Sequence, residues 1–116
     1  MFDFEKLTVY QKIKVQNTRI LKLIYRRKDI DPYLKDQWKR ATLSVAINIA
    51  EGTGRVGKSE KKYFYAVARS SVHECVAIVD ILKSAELLEL ELLDELYKGY
   101  EEVSKMLLCL YRSVGK

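Results

Sequence analysis

Residues Gly52 to Ser59 of this 116-residue chain read GTGRVGKS, and their types and spacing are those of a phosphate-binding loop. In the pattern G-x-x-x-x-G-K-[ST], backbone amides surround the phosphates of a nucleotide, and the lysine and the hydroxyl complete the site. An apolar run, LSVAINIA, precedes this segment, and a second one, VAIVD, follows it and ends at Asp80. Taken alone, these segments suggest a nucleotide hydrolase in which Asp80 holds magnesium.

The surrounding sequence does not provide the fold that a phosphate-binding loop requires. Such a loop connects a buried strand to a helix within a parallel sheet of several strands. Here residues 32–51 and the segment around Asp80 have helical spacing, and residues 81–116 contain no strand pattern. The sequence therefore predicts a glycine loop between two helices and no hydrolysis of ATP or GTP, so that an NTPase is only a remote alternative.

No other group of residues has the spacing of a catalytic or metal site. His73 is the only histidine, and Cys75, two positions later, points to a different face of a helix. The carboxylates near the C-terminus lack the Glu-x-x-His pairs of di-iron bundles. We therefore expect no enzymatic activity, no metal and no cofactor.

Composition favours one helical domain over residues 1–116. The chain is 48% hydrophobic and contains one proline and five glycines, so it can build a core and has few helix breakers. No apolar stretch approaches the roughly 20 residues needed to cross a membrane, and the N-terminus lacks a basic-then-apolar signal pattern. We expect a cytoplasmic protein without a membrane partner, in which Cys75 and Cys109 are buried free thiols.

Hydrophobic spacing predicts four helices, which run from about Phe4 to Arg27, from Pro32 to about Glu51, from about Glu60 to Leu87 and from about Glu91 to Ser113. Asp3, Asp31 and Ser59 are the expected N-caps of the first three helices, and Pro32 strengthens the second start. No glycine or proline marks the break between the third and fourth helices. Short connections between four helices of similar length predict an antiparallel up-down-up-down bundle.

The second helix is apolar around most of its circumference, apart from one narrow polar stripe formed by Gln37, Ser44, Asn48 and Glu51. A helix of this kind must be covered on more than one side. We therefore expect a homo-oligomer held in part by this helix. The polar stripe is interpreted as a structural hydrogen-bond network, with ligand contact as the alternative.

The third helix is expected to carry one carboxylate into the core. Its predicted core stripe consists of Phe64, Val67, Ser71, Ile78, Ile81, Leu82 and Ala85, and Glu74 falls inside it. A buried, ionised carboxylate needs partners. We expect Glu74 to pair with Arg40 or with the edge of the second helix formed by Ser44 and Asn48.

One longer pattern resembles the signature of a known family, namely Gln37-x-x-Arg40-Ala41-x-x-Ser44-x-x-x-Asn48-Ile49-Ala50-Glu51-Gly52-x-Gly54-Arg55. The family is the four-helix-bundle family of the 23S rRNA intervening sequence protein, which also includes the accessory variability proteins of diversity-generating retroelements. Tyr63, Phe64, the Ser70-Ser71 pair and an apolar fourth helix extend the resemblance over most of the chain. Ala46 and Ser70 depart from it, since the family often has proline and glycine there.

This resemblance implies a short up-down bundle that forms a ring-shaped homo-oligomer, typically a pentamer, without catalytic activity. The retroelement members look like adaptors that bind nucleic acid and a reverse transcriptase through a basic surface. The resemblance also accounts for the opening motif, because the family's E-G-x-G-R turn is followed here by a chance Gly57-Lys58-Ser59.

Charge is unevenly distributed, with a net +9 over residues 1–69 and −4 over residues 70–116. A basic half can attract phosphate backbones, or the acidic half of another subunit. The candidate nucleic-acid contacts are Lys12, Arg19, Lys22 and Arg26 on the first helix, and Arg55, Lys58, Lys61 and Lys62 at the glycine loop.

We expect these cations to bind RNA or DNA electrostatically and with little sequence selectivity, because Tyr10, Tyr63 and Phe64 are needed for packing and few aromatic rings remain for stacking on bases. The alternative is a protein-only adaptor, for example a reverse-transcriptase partner. Its basic surface would meet an acidic partner or the protein's own fourth helix.

Overall fold

The computed structural model describes residues 1–115 and contains four α-helices. A short 3₁₀-helix, Asp3–Lys6, precedes them, and they are α1 (Thr8–Arg26), α2 (Pro32–Gly54), α3 (Lys58–Ser84) and α4 (Leu90–Ser113). Residues 1–115 contain no strand. The all-helical fold predicted from the sequence is confirmed, while Lys116, the last residue of the predicted domain, lies outside the described residues.

The helices enclose one hydrophobic core. α2 packs against α3, α3 packs against α4, and α1 contacts both α2 and α4. In α1 and α4 the apolar residues recur with helical spacing and face the core. They include Ile13 and Ile20 in α1 and Leu96 and Leu107 in α4. Each fully buried side chain of this size stabilises the fold by about 1.5–3 kcal/mol.

One of the three predicted N-caps is confirmed. The Asp31 carboxylate accepts hydrogen bonds from the amides of Tyr33 at 2.8 Å and Leu34 at 3.2 Å, and proline follows it at the first helical position. The predicted caps Asp3 and Ser59 are wrong, because α1 begins after Leu7 and α3 begins after Gly57. Asp3 instead starts the 3₁₀-helix, whose Phe4 ring packs edge-on against a tyrosine ring of α1 at 4.8 Å.

The glycine-rich segment is mostly helical. α2 continues through Gly54, so that only residues 55–57 connect it to α3. At Gly52 the two helices approach closely, since a Cβ there would lie 2.8 Å from Cε1 of Tyr65 and 3.0 Å from Cβ of Phe64. The prediction of a loop from Gly52 to Lys58 is therefore wrong, and the first glycine allows helix packing instead of a turn.

α3 ends through backbone hydrogen bonds at a residue that carries a side chain. Glu86 adopts a left-handed conformation with φ of 55°. Its amide donates to the carbonyl of Lys83 at 3.2 Å, and the amide of Leu87 donates to the carbonyl of Leu82 at 3.1 Å. These are the two bonds of a Schellman motif, which usually has glycine at this position. A glutamate there explains why the sequence shows no break and why α3 was predicted to reach Leu87.

The buried face of α3 differs from the predicted one. The buried residues are Tyr65, Ala68, Val72, Cys75, Ile78, Val79 and Leu82, so that only two members of the predicted stripe are buried. Glu74 is exposed, and the prediction of a buried, paired carboxylate is wrong. The small residues Ala68 and Cys75 face the core. Because Cys75 is buried, its neighbour Glu74 lies outside the buried face.

The two cysteines have different environments. Both are free, but Cys75 is buried and Cys109 is exposed, so the prediction of two buried thiols is wrong for Cys109. Cys109 follows the buried Leu107 by two positions on α4, which turns its side chain away from the apolar stripe.

Candidate nucleic-acid interface

Half of the predicted basic stripe on α1 forms ion pairs with α4. Lys12 Nζ lies 2.8 Å from a carboxylate oxygen of Glu102, and Arg19 lies 2.8 Å from one of Glu95. Both pairs are partly exposed, and pairs of this kind contribute between 0 and about 1 kcal/mol to stability. They do neutralise these two cations, and the acidic fourth helix of the same chain is their partner.

The other half of the stripe has no carboxylate within 4.0 Å in residues 1–115. Lys22 and Arg26 are exposed and line a shallow groove between α1 and α4, together with Leu23 and Leu92. The neighbouring Arg27, by contrast, is paired with Asp29 in the α1–α2 connection and with Glu89 just before α4. These two cations are therefore the part of the stripe that can attract phosphate.

Arg27 forms the densest ion-pair cluster in this region. Its guanidinium lies 2.8 Å from Asp29 and 3.1 Å from Glu89. The hydrogen bond from Arg27 lowers the pKa of Asp29 from 3.8 to about 2. Arg27 therefore joins α1 to the loop before α4, and its charge is already satisfied.

At the α2–α3 connection, two of the four candidate cations have local partners. Arg55 pairs with Glu51 at 3.1 Å and with Glu60 at 3.7 Å, and its guanidinium lies over the Phe64 ring. The Lys61 ammonium donates to the carbonyl of Thr53 at 2.9 Å and thus satisfies the end of α2. These contacts give Arg55 and Lys61 structural roles.

Lys58 and Lys62 have no carboxylate within 4.0 Å in the described part of the chain. Lys58 is exposed at the first residue of α3, where the helix dipole adds further positive potential. The Lys62 ammonium lies 4.7 Å from the centre of the Tyr111 ring on α4. Both residues can therefore contact an anion, and their i,i+4 spacing places them one turn apart on the same face of α3.

The GTGRVGKS segment does not have the setting of a phosphate-binding loop. It covers the last turn of α2, the three connecting residues and the first two residues of α3. Its Lys58 and Ser59 are exposed on a helix that follows another helix, and residues 1–115 contain no strand from which such a loop could start. The segment can turn the chain, but it lacks the strand that positions the loop amides around a phosphate.

The predicted polar stripe of α2 is divided into separate local contacts. Ser44 and Ser71 share a hydrogen bond of 2.8 Å across the α2–α3 interface, and the Asn48 amide donates back to the Ser44 carbonyl at 2.8 Å. Arg40 pairs with Asp36 at 2.9 Å, and Glu51 pairs with Arg55. Gln37 is half-buried. Glu74 contacts none of them, so these residues do not form one network.

A different polar network lies in the core and was not predicted. The Trp38 indole donates to the Tyr100 hydroxyl at 3.1 Å, which lies 3.1 Å from the Thr42 hydroxyl. Thr42 in turn donates to the Asn17 side chain, whose amide returns a 2.9 Å bond to the Thr42 carbonyl. Cys75 of α3 adjoins Tyr100 and Thr42, so all four helices meet at this cluster.

Burial dominates the chemistry of this network. It raises the pKa of the Cys75 thiol to about 12 and raises the pKa of the Tyr100 hydroxyl well above its usual range. Both groups therefore remain neutral near pH 7, and no buried side-chain polar atom of residues 1–115 lacks a partner. The network fixes the relative positions of the helices, and the one signal for it in the sequence is Asn17 on the apolar face of α1.

More aromatic rings are exposed than the sequence suggests. Tyr25 is 83% exposed, Tyr33 is 73% exposed and Tyr63 is 63% exposed. The expectation that Tyr63 is used for packing is therefore wrong. Tyr25 directly precedes Arg26 near the end of α1, and its exposed ring is available for stacking on a base.

Within residues 1–115, no three His, Cys, Asp or Glu side chains lie close enough together to hold a metal ion. None of the helices in this part of the chain combines the length and hydropathy needed to cross a membrane.

Comparison with known proteins places the chain in a family. The crystal structure of a protein of unknown function from the S23 ribosomal protein family of Bacteroides thetaiotaomicron has a TM-score of 0.83 with this chain at 18% identity, and the match covers 90% of this chain and 95% of that one. At this identity the likeness concerns the fold. No curated protein matches this chain in sequence. Residues 5–109 match the sequence model described as 23S rRNA-intervening sequence protein, and the chain therefore belongs to that family.

Proposed function

We propose that this protein is a non-enzymatic, homo-oligomeric adaptor that binds RNA or DNA through a basic surface. The observation that carries the proposal is the division among its cations. Lys12, Arg19 and Arg55 are paired with carboxylates of the chain, whereas Lys22 and Arg26 lie side by side on α1 without a carboxylate within 4.0 Å in residues 1–115. Exposed cations of this kind bind phosphate backbones without reading sequence.

The test is fluorescence anisotropy with labelled single- and double-stranded RNA and DNA of unrelated sequences. Affinity is expected to fall steeply with salt, and the Lys22→Glu/Arg26→Glu variant is expected to bind every sequence more weakly and to reduce the salt slope by about 2. The matched control is Lys98→Glu/Lys105→Glu, which changes the net charge equally at exposed positions of α4. Undetectable binding near 50 mM salt, or equal effects of both variants, contradicts the proposal.

The proposed assembly is a ring of antiparallel up-down-up-down bundles, as the family resemblance implies, with five subunits. The order of the α1–α4 ion pairs supports the topology, because Lys12 pairs with Glu102 and Arg19 pairs with Glu95. Ile47 on α2 is 56% exposed and borders an apolar groove between α1 and α2, which supports burial of this face by a second copy.

Light scattering tests the assembly. Ile47→Glu is expected to lower the oligomer mass, whereas Val56→Glu, which places the same charge at a 95% exposed residue of the α2–α3 connection, is expected to leave it unchanged. A wild-type mass of 13.5 kDa at tens of micromolar contradicts the oligomer.

The second candidate function is a protein-only adaptor, whose partner is a reverse transcriptase or another protein. The pairing of Lys12 and Arg19 with the chain's own fourth helix favours it, because it removes half of the α1 stripe from the basic surface. Under this alternative, the oligonucleotides show no binding at low salt.

A further inference from the structure

A second concave surface, separate from the α1 stripe, lies between α3 and α4. It has a volume of about 320 Å³, at the lower end of the range for small-molecule sites. Arg69, Ser70 and His73 line it from α3, and Leu108 and Tyr111 line it from α4. We call this surface the α3–α4 groove, and it combines polar groups on one helix with an apolar and aromatic wall on the other.

Arg69 is the strongest reason to expect an anion in this groove. Its side chain is half-buried, and within residues 1–115 no carboxylate oxygen lies within 4.0 Å of it. Its one hydrogen bond in the described structure runs from Nε to the carbonyl of Ser104 at 3.4 Å, which is long. The two terminal nitrogens can therefore donate to a ligand, and a guanidinium suits the paired oxygens of a phosphate.

His73 is held in place beside Arg69. Its Nδ1 lies 2.9 Å from the Arg69 carbonyl, and since a carbonyl can only accept, Nδ1 carries a proton. The ring is thereby oriented, and Nε2 is the nitrogen that is left for a ligand. The hydroxyl of Ser70 is a further polar group on the same lining.

The opposite wall can hold a flat ring. Tyr111 is half-buried, and the ammonium of Lys62 lies 4.7 Å from its ring centre, which brings a second cation to the edge of the groove. Leu108 lies one turn before Tyr111 on α4 and continues the apolar surface. A simple inorganic anion would not contact the apolar wall, and an apolar ligand would leave Arg69 without a partner. The groove therefore suits a ligand that has both an anionic group and a flat ring.

We propose that the α3–α4 groove binds a nucleoside phosphate, with the phosphate on Arg69 and Ser70 and the base against Tyr111 and Leu108. The ligand is either a free nucleotide or one residue of a single strand, and both present the same chemistry. The single-strand source rests on the proposed function, whereas the free-nucleotide source does not.

Calorimetry with AMP, adenosine and inorganic phosphate tests the chemistry. AMP is expected to bind at least about tenfold more tightly than either of its parts, because charge-assisted hydrogen bonds and stacking both contribute. Arg69→Gln and Tyr111→Leu are each expected to weaken AMP by about tenfold, and Tyr111→Phe is expected to retain binding. Arg112→Gln is the matched control, since it removes the same charge from an exposed residue of α4 that does not line the groove.

A single-stranded RNA of about 12 nucleotides, measured with the same variants, distinguishes the two sources. If it binds and Arg69→Gln weakens it more than Arg112→Gln does, the groove holds one residue of the strand. If RNA does not bind but AMP does and needs Arg69, the ligand is a free nucleotide and the proposed function fails.

Two outcomes overturn the groove proposal. One is RNA binding that the groove variants leave unchanged while AMP does not bind, and in that case the proposed function stands. The other is AMP binding that is insensitive to Arg69→Gln or no tighter than phosphate binding. Thermal unfolding of each variant verifies the fold. If Arg69→Gln unfolds, Arg69→Lys replaces it, and this variant is also expected to weaken AMP because it loses the paired donors of the guanidinium.

Discussion

Replacing Gly52 by alanine tests whether the first glycine of GTGRVGKS serves packing. An added Cβ would lie 2.8 Å from Cε1 of Tyr65 and 3.0 Å from Cβ of Phe64. Neither neighbour can move easily, because the Phe64 Cβ is attached to the α3 backbone and the Tyr65 ring is 3% exposed, with its hydroxyl bonded to Thr53 at 2.9 Å. We therefore expect α2 to be pushed away from α3.

The expected magnitude is the difference of two effects. Overpacking of this kind costs about 1–3 kcal/mol, and the better helix propensity of alanine returns up to about 1 kcal/mol. With the full return of about 1 kcal/mol subtracted, Gly52→Ala should lower the free energy of unfolding by up to about 2 kcal/mol. Gly54→Ala is the matched control, because a Cβ at that last residue of α2 meets no atom within 4 Å, and it should be neutral or stabilising by up to about 1 kcal/mol.

The assay is thermal unfolding followed by circular dichroism at one protein concentration, since the midpoint of an oligomer depends on concentration. A gap of about 2 kcal/mol between the two variants corresponds to roughly 8 °C in a domain of this size. If both alanine variants shift the midpoint equally, the close approach of α2 and α3 at Gly52 does not constrain the residue, and the packing argument is refuted.

Three further outcomes follow from the core and the helix ends. Tyr100→Phe leaves the indole of the fully buried Trp38 without an acceptor, so denaturant unfolding should show a loss of about 1–3 kcal/mol, and an unchanged midpoint would contradict the network. Glu86→Gly removes a side chain from a left-handed position and should stabilise the protein by about 0.5–1 kcal/mol, whereas a loss of stability would argue against the Schellman motif. In thiol titration, Cys109 should react in the native state and Cys75 only after unfolding, because burial raises the pKa of Cys75 to about 12, and native labelling that survives Cys109→Ser would refute this assignment.

Helical class and several boundaries could be predicted because their causes are local. The Asp31-Pro32 start needs only an acceptor and two amides within three residues, and the structure contains those bonds. The fourth helix was predicted from about Glu91 to Ser113 and is observed from Leu90 to Ser113 for the same reason, since its apolar spacing repeats over 24 residues. The end of α3 was not predicted correctly, because the residue in the left-handed conformation there is Glu86 and not the usual glycine. Two backbone hydrogen bonds hold that conformation.

The sequence by itself determined that this chain is helical, basic in its first half and similar to a family with a glycine-containing turn. Tertiary structure alone decided which charges remain available and which polar groups meet. Lys12 and Glu102 are 90 positions apart, and Trp38 and Tyr100 are 62 positions apart, so no local pattern relates them. Such pairs form because packing brings distant helix faces within a few ångströms, and the free energy that selects those faces is a property of the whole core.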